Sequence, residues 1–360
     1  PTRRSSDLTT LPDGLVVGPD SGVLPEAGVP LDGTRVDVAD GGEGGSTVTD
    51  GGDTGVVLPV GECAAVGPVA EIFREGVGSS RELYIAPIGA AGYGVGGSWR
   101  RELTQMQLAL IDGTGRVTSN APLSMFSSGL VTGGALALDG TDGFVYTAAS
   151  NANRGLDIYA QRASATGTVM GEPARLSMDT DVSEQPKVVR VGSNYLVAWR
   201  STNEATREVR ILVSGIDSSF MPMASTSVAM AGSMASTFDL AADGDRAVLA
   251  YVGQGRVRGM VFGPDARPMG SEFFISASTE AGNANVGVAV RGTSAAVFWT
   301  ESIRGVFLHG VHVDFLMPTT PRVGMVVDYP EAGTRLSSAG ASVDRDGFAA
   351  SGSTCEGGPL

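Results

Sequence analysis

Six aspartates share one position in a repeated turn, and their spacing is the strongest hint of chemistry in this sequence of 360 residues. They lie in the pieces LDGTDG, AADGDR and VDRDG, as Asp139, Asp142, Asp243, Asp245, Asp344 and Asp346. Carboxylates gathered at one rim could raise one another's pKa or bind calcium. The alternative, which we favour, is that Asp and Gly supply the hydrogen bonds and positive φ of tight hairpin turns. We therefore expect no cofactor, with calcium as the weaker alternative.

Other residue types that carry out catalysis are sparse. The two histidines, His309 and His312, are three positions apart on an expected strand, so their side chains point to opposite faces. The two cysteines form no Cys-x-x-Cys pair, and neither a Gly-x-Ser-x-Gly elbow nor a Ser-x-Asp-x-Gly-x-Thr-Trp box occurs. The run GYGVGG at 92–97 aligns with a strand pair and opens no helix, which argues against a dinucleotide loop. The sequence therefore indicates no catalytic residue.

The aspartate turns belong to a repeat of a strand, a turn, and a second strand that often ends in an aromatic residue. Six copies end at Gly97, Ala148, Trp199, Tyr251, Trp299 and Gly352, at intervals of 51, 51, 52, 48 and 53. A third strand follows in the first five copies, and a fourth fits PARLSM, STSVAM, EFFISA and VGMVVD. Four strands make one propeller blade, whose two apolar faces need a neighbour on each side. The predicted fold class is all-β, a β-propeller with six blades of about 50 residues.

Three aromatic residues end the second strand of their copies, and we treat them as structural markers of the blades. They are Trp199, Tyr251 and Trp299. Because they recur at one position of the repeat, we expect them to pack between neighbouring blades. A ring of aromatic residues on which sugars stack is the functional alternative.

Two copies resemble a known repeat. QPKVVRVGSNYLVAWR at 185–200 and LDIYAQRASATGTVMGEPARLS at 156–177 are similar to the blades of a bacterial family of secreted or lipoprotein propellers with the pattern Y-L-V-x-W … D-I-Y-x-x-R. The resemblance covers about Cys63 to Leu360. It implies a propeller that is secreted or anchored at the outer surface. It implies no catalytic residues, because the shared positions are strand and turn residues.

The first part of the chain differs from the repeats. Residues 1–8, PTRRSSDL, look like a translated sequencing adapter, so we expect that the native targeting signal has been lost. Residues 9–57 contain twelve Gly and nine acidic residues against one Arg, which predicts a disordered acidic linker. The propeller is then expected to span 58–360.

The last copy stops soon after its second strand. Either the chain is cut short, or segments before the first marker, AAVGPVAEIF and RELYIAPI, complete the last blade by pairing with the end of the chain. We favour closure, because the only two cysteines, Cys63 and Cys355, flank the repeats and would meet at such a seam as a disulfide. Two unpaired thiols in a fragment are the alternative.

The charge of the chain limits its partners. The net charge of −14 leaves no basic stripe, which disfavours nucleic acid and anionic membranes, and no apolar run is long enough for a transmembrane segment. We expect a monomer that binds a protein or glycan at the cell surface, as a non-catalytic binding or scaffold propeller. A polysaccharide hydrolase or lyase that uses rim carboxylates is one alternative, and a structural spacer is another.

Overall fold

The structure of the protein is a computed structural model. It describes residues 83–87, 92–98, 106–112, 114–126, 131–140, 143–151, 155–231, 237–276, 285–301, 307–317, 320–324, 327–329, 335–343 and 348–355. The chain divides into two compact units, Pro1–Cys63 and Ala64–Leu360, and every described residue belongs to the second. The expected adapter and linker therefore lie outside the described residues, as does Cys63.

The described residues form six antiparallel sheets, each built from strands that follow one another in the chain. Sheet 1 contains β1 (Leu83–Pro87), β2 (Tyr93–Ser98), β3 (Met106–Ile111) and β4 (Val117–Leu123). Sheet 2 contains β5 (Val131–Asp139), β6 (Gly143–Ser150), β7 (Asp157–Ser164) and β8 (Val169–Arg175). Sheet 3 contains β9 (Val182–Val191), β10 (Asn194–Thr202), β11 (Val209–Ile216) and β12 (Thr226–Ala231).

The remaining sheets repeat this path with small departures. Sheet 4 contains β13 (Phe238–Asp243), β14 (Arg246–Gly253), β15 (Arg256–Phe262) and β16 (Phe273–Phe274). Sheet 5 contains β17 (Val286–Arg291), β18 (Ser294–Glu301), β19 (Phe307–Met317) and β20 (Thr320–Val323), with β21 (Val327–Tyr329) also paired to β19. Sheet 6 contains β22 (Arg335–Val343) and β23 (Phe348–Cys355). No helix that could cross a membrane occurs within the described residues.

The first strand of each sheet packs against the first strand of the next sheet, as the inner strands of propeller blades do. This succession runs through β1, β5, β9, β13, β17 and β22. The predicted strand-turn-strand copies fall on the hairpins between the two inner strands of the six sheets, and the second strands end one to three residues beyond the predicted markers. The protein is an all-β propeller, as the repeat predicts.

One expectation about the seam is wrong. Within the described residues the segment RELYIAPI does not pair with the end of the chain: β1 is an edge strand of sheet 1 and pairs with β2, with Ile85 opposite Val95, whereas sheet 6 contains β22 and β23. A partner that is near in the chain costs less loop-closure entropy than one at the far end. The segment AAVGPVAEIF lies outside the described residues.

Among the described residues, four hydrophobic clusters form the core, and each lies between two successive sheets. Trp199 is fully buried in the cluster between sheets 2 and 3. Tyr251 occupies the same position between sheets 3 and 4, and Trp299 between sheets 4 and 5. Each aromatic side chain therefore faces the preceding sheet, and fully burying such a ring stabilises the fold by several kcal/mol.

Small residues are required where the sheets converge toward the axis. A Cβ on Gly134 of β5 would lie 2.5 Å from the Sδ atom of Met106 in sheet 1, and a Cβ on Gly94 of β2 would lie 2.6 Å from the ring of Phe144 in sheet 2. Both distances are shorter than real carbon contacts, so a larger residue at either position would displace the side chain of Met106 or Phe144.

Candidate functional site

The two ends of the propeller carry different polar groups. We call the end at the hairpins between the first and second strands the turn rim, and the opposite end, where each sheet begins, the loop rim. The sequence places its six aspartates on the turn rim. The structure describes three of these aspartates, and Asp142, Asp344 and Asp346 lie outside the described residues.

Asp139 is held by side chains of its own sheet and of the next one. The hydroxyl of Tyr195 in sheet 3 donates a hydrogen bond to the Asp139 carboxylate. The Nε atom of Arg162 in sheet 2 lies 3.1 Å from Asp139 Oδ2. Burial, followed by the bond to Asp139, raises the pKa of Tyr195. Asp139 thus joins sheets 2 and 3, and its charge is balanced by a guanidinium.

Asp243 joins sheets 4 and 5 in a different way. The backbone N–H of Gly292, in the turn of sheet 5, donates to Asp243 Oδ2 at 2.6 Å. The turns of sheets 3 and 4 are joined by a backbone bond of 2.7 Å from the Gly192 N–H to the Gly244 carbonyl. These three glycines have positive φ values between 56° and 60°, a backbone conformation that glycine adopts without strain. Asp245 is exposed beside the same turns.

An open cleft of about 310 Å³ lies on the axis, where the first four inner strands approach the turn rim. Ile85 of β1, Leu138 of β5, Val189 of β9 and Ala242 of β13 line it, and Ile85 is 66% exposed. The one charged residue that lines the cleft is Arg190, which is exposed and whose Nε donates to the Gly192 carbonyl at 3.2 Å. The cleft therefore combines aliphatic surface with one cation.

A second polar group bridges three inner strands further along the channel. The Nζ of Lys187 on β9 lies 3.7 Å from Oδ1 of Asp239 on β13, and the backbone N–H of Val288 on β17 donates to Asp239 Oδ2 at 3.0 Å. Burial raises the pKa of Asp239, and the charge of Lys187 and two backbone N–H bonds oppose this. These contacts tie sheets 3, 4 and 5 together at the axis.

A β-bulge in β9 sets the direction of Lys187. The pairing of β9 with β10 shifts between Ala198 and Arg200, so that two residues of β9 face the single residue Trp199. Gln185 in the bulge has a φ of 55°, a strained value for a residue other than glycine. Because of the bulge, Lys187 faces sheet 4 and reaches Asp239.

Sequence reasoning missed three carboxylates on the loop rim. The Asp157 carboxylate accepts bonds of 2.9 Å from Arg175 and from Ser177. The Asp181 carboxylate accepts bonds from Ser201, Asn203 and Arg210, and Arg210 also lies 3.7 Å from Asp179. Burial and then the charge of Asp181 raise the pKa of Asp179. The only sequence signals were the Asp-x-Asp spacing at 179–181 and the Asp-Ile-Tyr of the repeat.

These contacts limit the chemistry of both rims. Asp139, Asp157 and Asp181 are each paired with an arginine and accept at least one further side-chain hydrogen bond, which fixes their positions and balances their charge. No group of three His, Cys, Asp or Glu side chains with metal-site geometry occurs among the described residues. In the axial cleft, the exposed Arg190 lies beside the exposed apolar side chain of Ile85.

Comparisons with known proteins bear on the fold. No protein-family model matches the sequence, and no curated protein matches it. The Trypanosoma rangeli sialidase in complex with the inhibitor DANA is similar to the chain, with a TM-score of 0.50 and 9% identity over 78% of this chain and 53% of that one. The Hadza microbial sialidase Hz136 is similar with a TM-score of 0.49 and 8% identity, over 72% of this chain and 60% of that one. The Dos1 propeller is similar with a TM-score of 0.45 and 13% identity, over 72% of this chain and 62% of that one.

The chain thus spans less than two thirds of each of these three proteins. At 9% identity the likeness to the Trypanosoma rangeli sialidase is one of fold, that of a propeller, and brings no residue roles with it.

Proposed function

We propose that this chain is a non-catalytic binding propeller of six blades that holds its ligand in the axial cleft on the turn rim. Five sheets would be complete blades, and β22 with β23 the inner pair of the sixth. The observation that carries the proposal is the lining of the cleft, which presents Ile85, Leu138 and Val189 beside Arg190. Exposed aliphatic surface next to a charged group is typical of a binding site.

The state of the turn-rim carboxylates supports binding over hydrolysis there. A glycosidase needs one carboxyl group as proton donor and a second as base or nucleophile. Asp139 accepts from Tyr195 and is paired with Arg162, and Asp243 accepts from the Gly292 N–H, so these two groups hold the sheets together. For the same reason we assign no calcium to Asp139 or Asp243. The resemblance of the repeats supports a secreted or surface-anchored location.

Hydrolysis remains the second candidate function, and one observation favours it. On the loop rim, the pKa of Asp179 is raised next to Asp181, whose carboxylate is held by Arg210. Two neighbouring carboxyl groups whose environments differ are the starting point of an acid and base pair. Turnover of a polysaccharide that is lost in both Asp179→Asn and Asp181→Asn would establish this function in place of binding.

The binding proposal is tested with the full chain on a glycan array and in selection from a random heptapeptide phage library. We expect ligands whose capture is lost in Ile85→Asp, because a charge would then sit in the mouth of the cleft. Met221→Asp is the matched control, since Met221 is 61% exposed on the same rim but lies outside the cleft. Capture that is equal in both variants and the wild type would place the site elsewhere.

A further inference from the structure

We infer that the axial cleft recognises a peptide segment in which an aliphatic side chain lies next to a carboxylate, an inference that rests on the binding function proposed above. Two properties of the cleft define this ligand. The first is the chemistry of its walls, and the second is the position and pairing of its single cation.

The walls favour an aliphatic group over a sugar. Nine residues line the cleft, and none of them is aromatic. A sugar ring is commonly bound by stacking on an aromatic face and by several polar side chains, and apart from Arg190 every side chain here is aliphatic. A volume of about 310 Å³ is at the lower end of the range for ligand pockets, which suits roughly one or two side chains.

The exposed apolar surface gives the aliphatic group a place to bind. Ile85 projects from β1 with 66% of its surface exposed, whereas Leu138 and Val189 are partly buried beside it. Such an exposed isoleucine in a central cleft is covered favourably by an apolar side chain of a ligand. An extended peptide can supply that side chain while its backbone stays outside the cleft.

Arg190, the cation of the cleft, determines which group of the ligand binds next to the aliphatic side chain. Among the charged groups near the axis, Arg162 is paired with Asp139 and Lys187 with Asp239. Arg190 uses its Nε for the Gly192 carbonyl, and no described carboxylate lies within ion-pair distance of it. Its two terminal nitrogens can therefore take both oxygens of a carboxylate, the geometry that guanidinium groups favour. Arg190 is thus the group in the lining of the cleft that can bind an acidic side chain.

The test uses four capped heptapeptides with Leu-Asp, Leu-Asn, Ser-Asp or Ser-Asn at the centre of a glycine sequence. Binding to the full chain is followed by the methyl NMR signal of Ile85, which lies in the cleft. We expect the Leu-Asp peptide to bind at least tenfold more tightly than Leu-Asn, since only the carboxylate forms charge-assisted bonds, and more tightly than Ser-Asp.

Two variants separate the two parts of the inference. Arg190→Gln should bring the ratio between Leu-Asp and Leu-Asn close to one, whereas Arg267→Gln should leave it unchanged, because the Arg267 side chain is 82% exposed in the connection between β15 and β16, outside the cleft. In Ile85→Asp, binding is followed by the methyl signals of Leu138 and Val189, which also line the cleft, and the preference for Leu over Ser should be lost. Because Ile85 and Arg190 are both exposed, neither change threatens the fold.

The outcomes distinguish this inference from the binding function itself. If the Ile85 signal shifts equally with Leu-Asp and Leu-Asn, the carboxylate is not recognised, and the inference is overturned while the cleft remains a binding site. If no peptide shifts the signal at millimolar concentration, the peptide inference also fails. Array or phage ligands that are still lost in Ile85→Asp would then keep the binding function, with a different ligand.

Discussion

Removing the hydroxyl of Tyr195 should loosen the contact between sheets 2 and 3 at one defined point. The side chain is 2% exposed, and its hydroxyl donates to the carboxylate of Asp139. A hydrogen bond to a charged group contributes about 1.5 to 3 kcal/mol to stability. Because Arg162 still balances the charge of Asp139 in Tyr195→Phe, we expect a loss near the lower end, about 1.5 kcal/mol at neutral pH.

The same substitution should change how stability depends on alkaline pH. Burial raises the pKa of Tyr146, Tyr195 and Tyr251 above the ordinary value of 10. Above that value the unfolded chain loses the three phenol protons while the folded chain keeps them, so stability is present below it and falls as the pH rises. Each tyrosine contributes a slope of about 1.4 kcal/mol per pH unit, and Tyr195→Phe should remove one of the three contributions.

Urea unfolding followed by tryptophan fluorescence, at neutral pH and at several values above the tyrosine pKa, measures both effects. Tyr93→Phe is the matched control, because Tyr93 is 50% exposed on β2, and its unfolding free energy should stay within about 0.5 kcal/mol of the wild type. An alkaline slope that is the same in Tyr195→Phe and in the wild type would refute the argument, since Tyr195 would then titrate alike in both states.

Three other predictions concern the packing and the axis. Trp199→Ala should lower the free energy of unfolding by about 3 to 5 kcal/mol in urea titrations, because the ring is fully buried between two sheets. In Lys187→Met, Asp239 loses the cation beside it, so the pKa of Asp239 rises further. The variant should be less stable than the wild type at neutral pH and should regain this stability as the pH falls and Asp239 gains a proton. Unfolding at a series of pH values would show this. Peptide mapping without reduction should find Cys63 joined to Cys355, and reduction should destabilise the chain by roughly 4 to 5 kcal/mol.

Each of these has a result that contradicts it. A loss below about 1 kcal/mol in Trp199→Ala would show that the ring adds little to the contact between the sheets. A deficit in Lys187→Met that is the same at every pH would show that Asp239 is not the group affected. Alkylation of both cysteines in protein that was never reduced would rule out the disulfide.

The strands and their grouping could be predicted from the sequence because they depend on local pattern. Short apolar runs with Asp or Gly turns specify hairpins, and the recurrence at Trp199, Tyr251 and Trp299 specifies a shared register. The partner of β1 could not be inferred in this way. The apolar sequence of β1 does not indicate whether it pairs with β2 or with the end of the chain. In the structure it pairs with β2, the strand that follows it.

The polar contacts at the axis could not be predicted from the alternation of side chains along a strand, because they depend on a β-bulge. Simple alternation along a strand puts Glu184 and Lys187 on opposite faces, whereas the bulge at Gln185 brings both to one face. The loop-rim group was missed for a related reason. Asp157 begins β7, whereas Asp179 and Asp181 follow β8, and the pairing of these two strands brings the three carboxylates together.

Each hydrophobic cluster of this protein belongs to two sheets, which has a bearing on how such a chain can evolve. A duplication or loss of one unit creates a new junction between sheets that were not neighbours before. The aromatic ring on one side of that junction must then fit the small residues on the other. Recombination is therefore tolerated where adjacent units are nearly alike, which favours growth by copying a neighbour over insertion of a foreign unit.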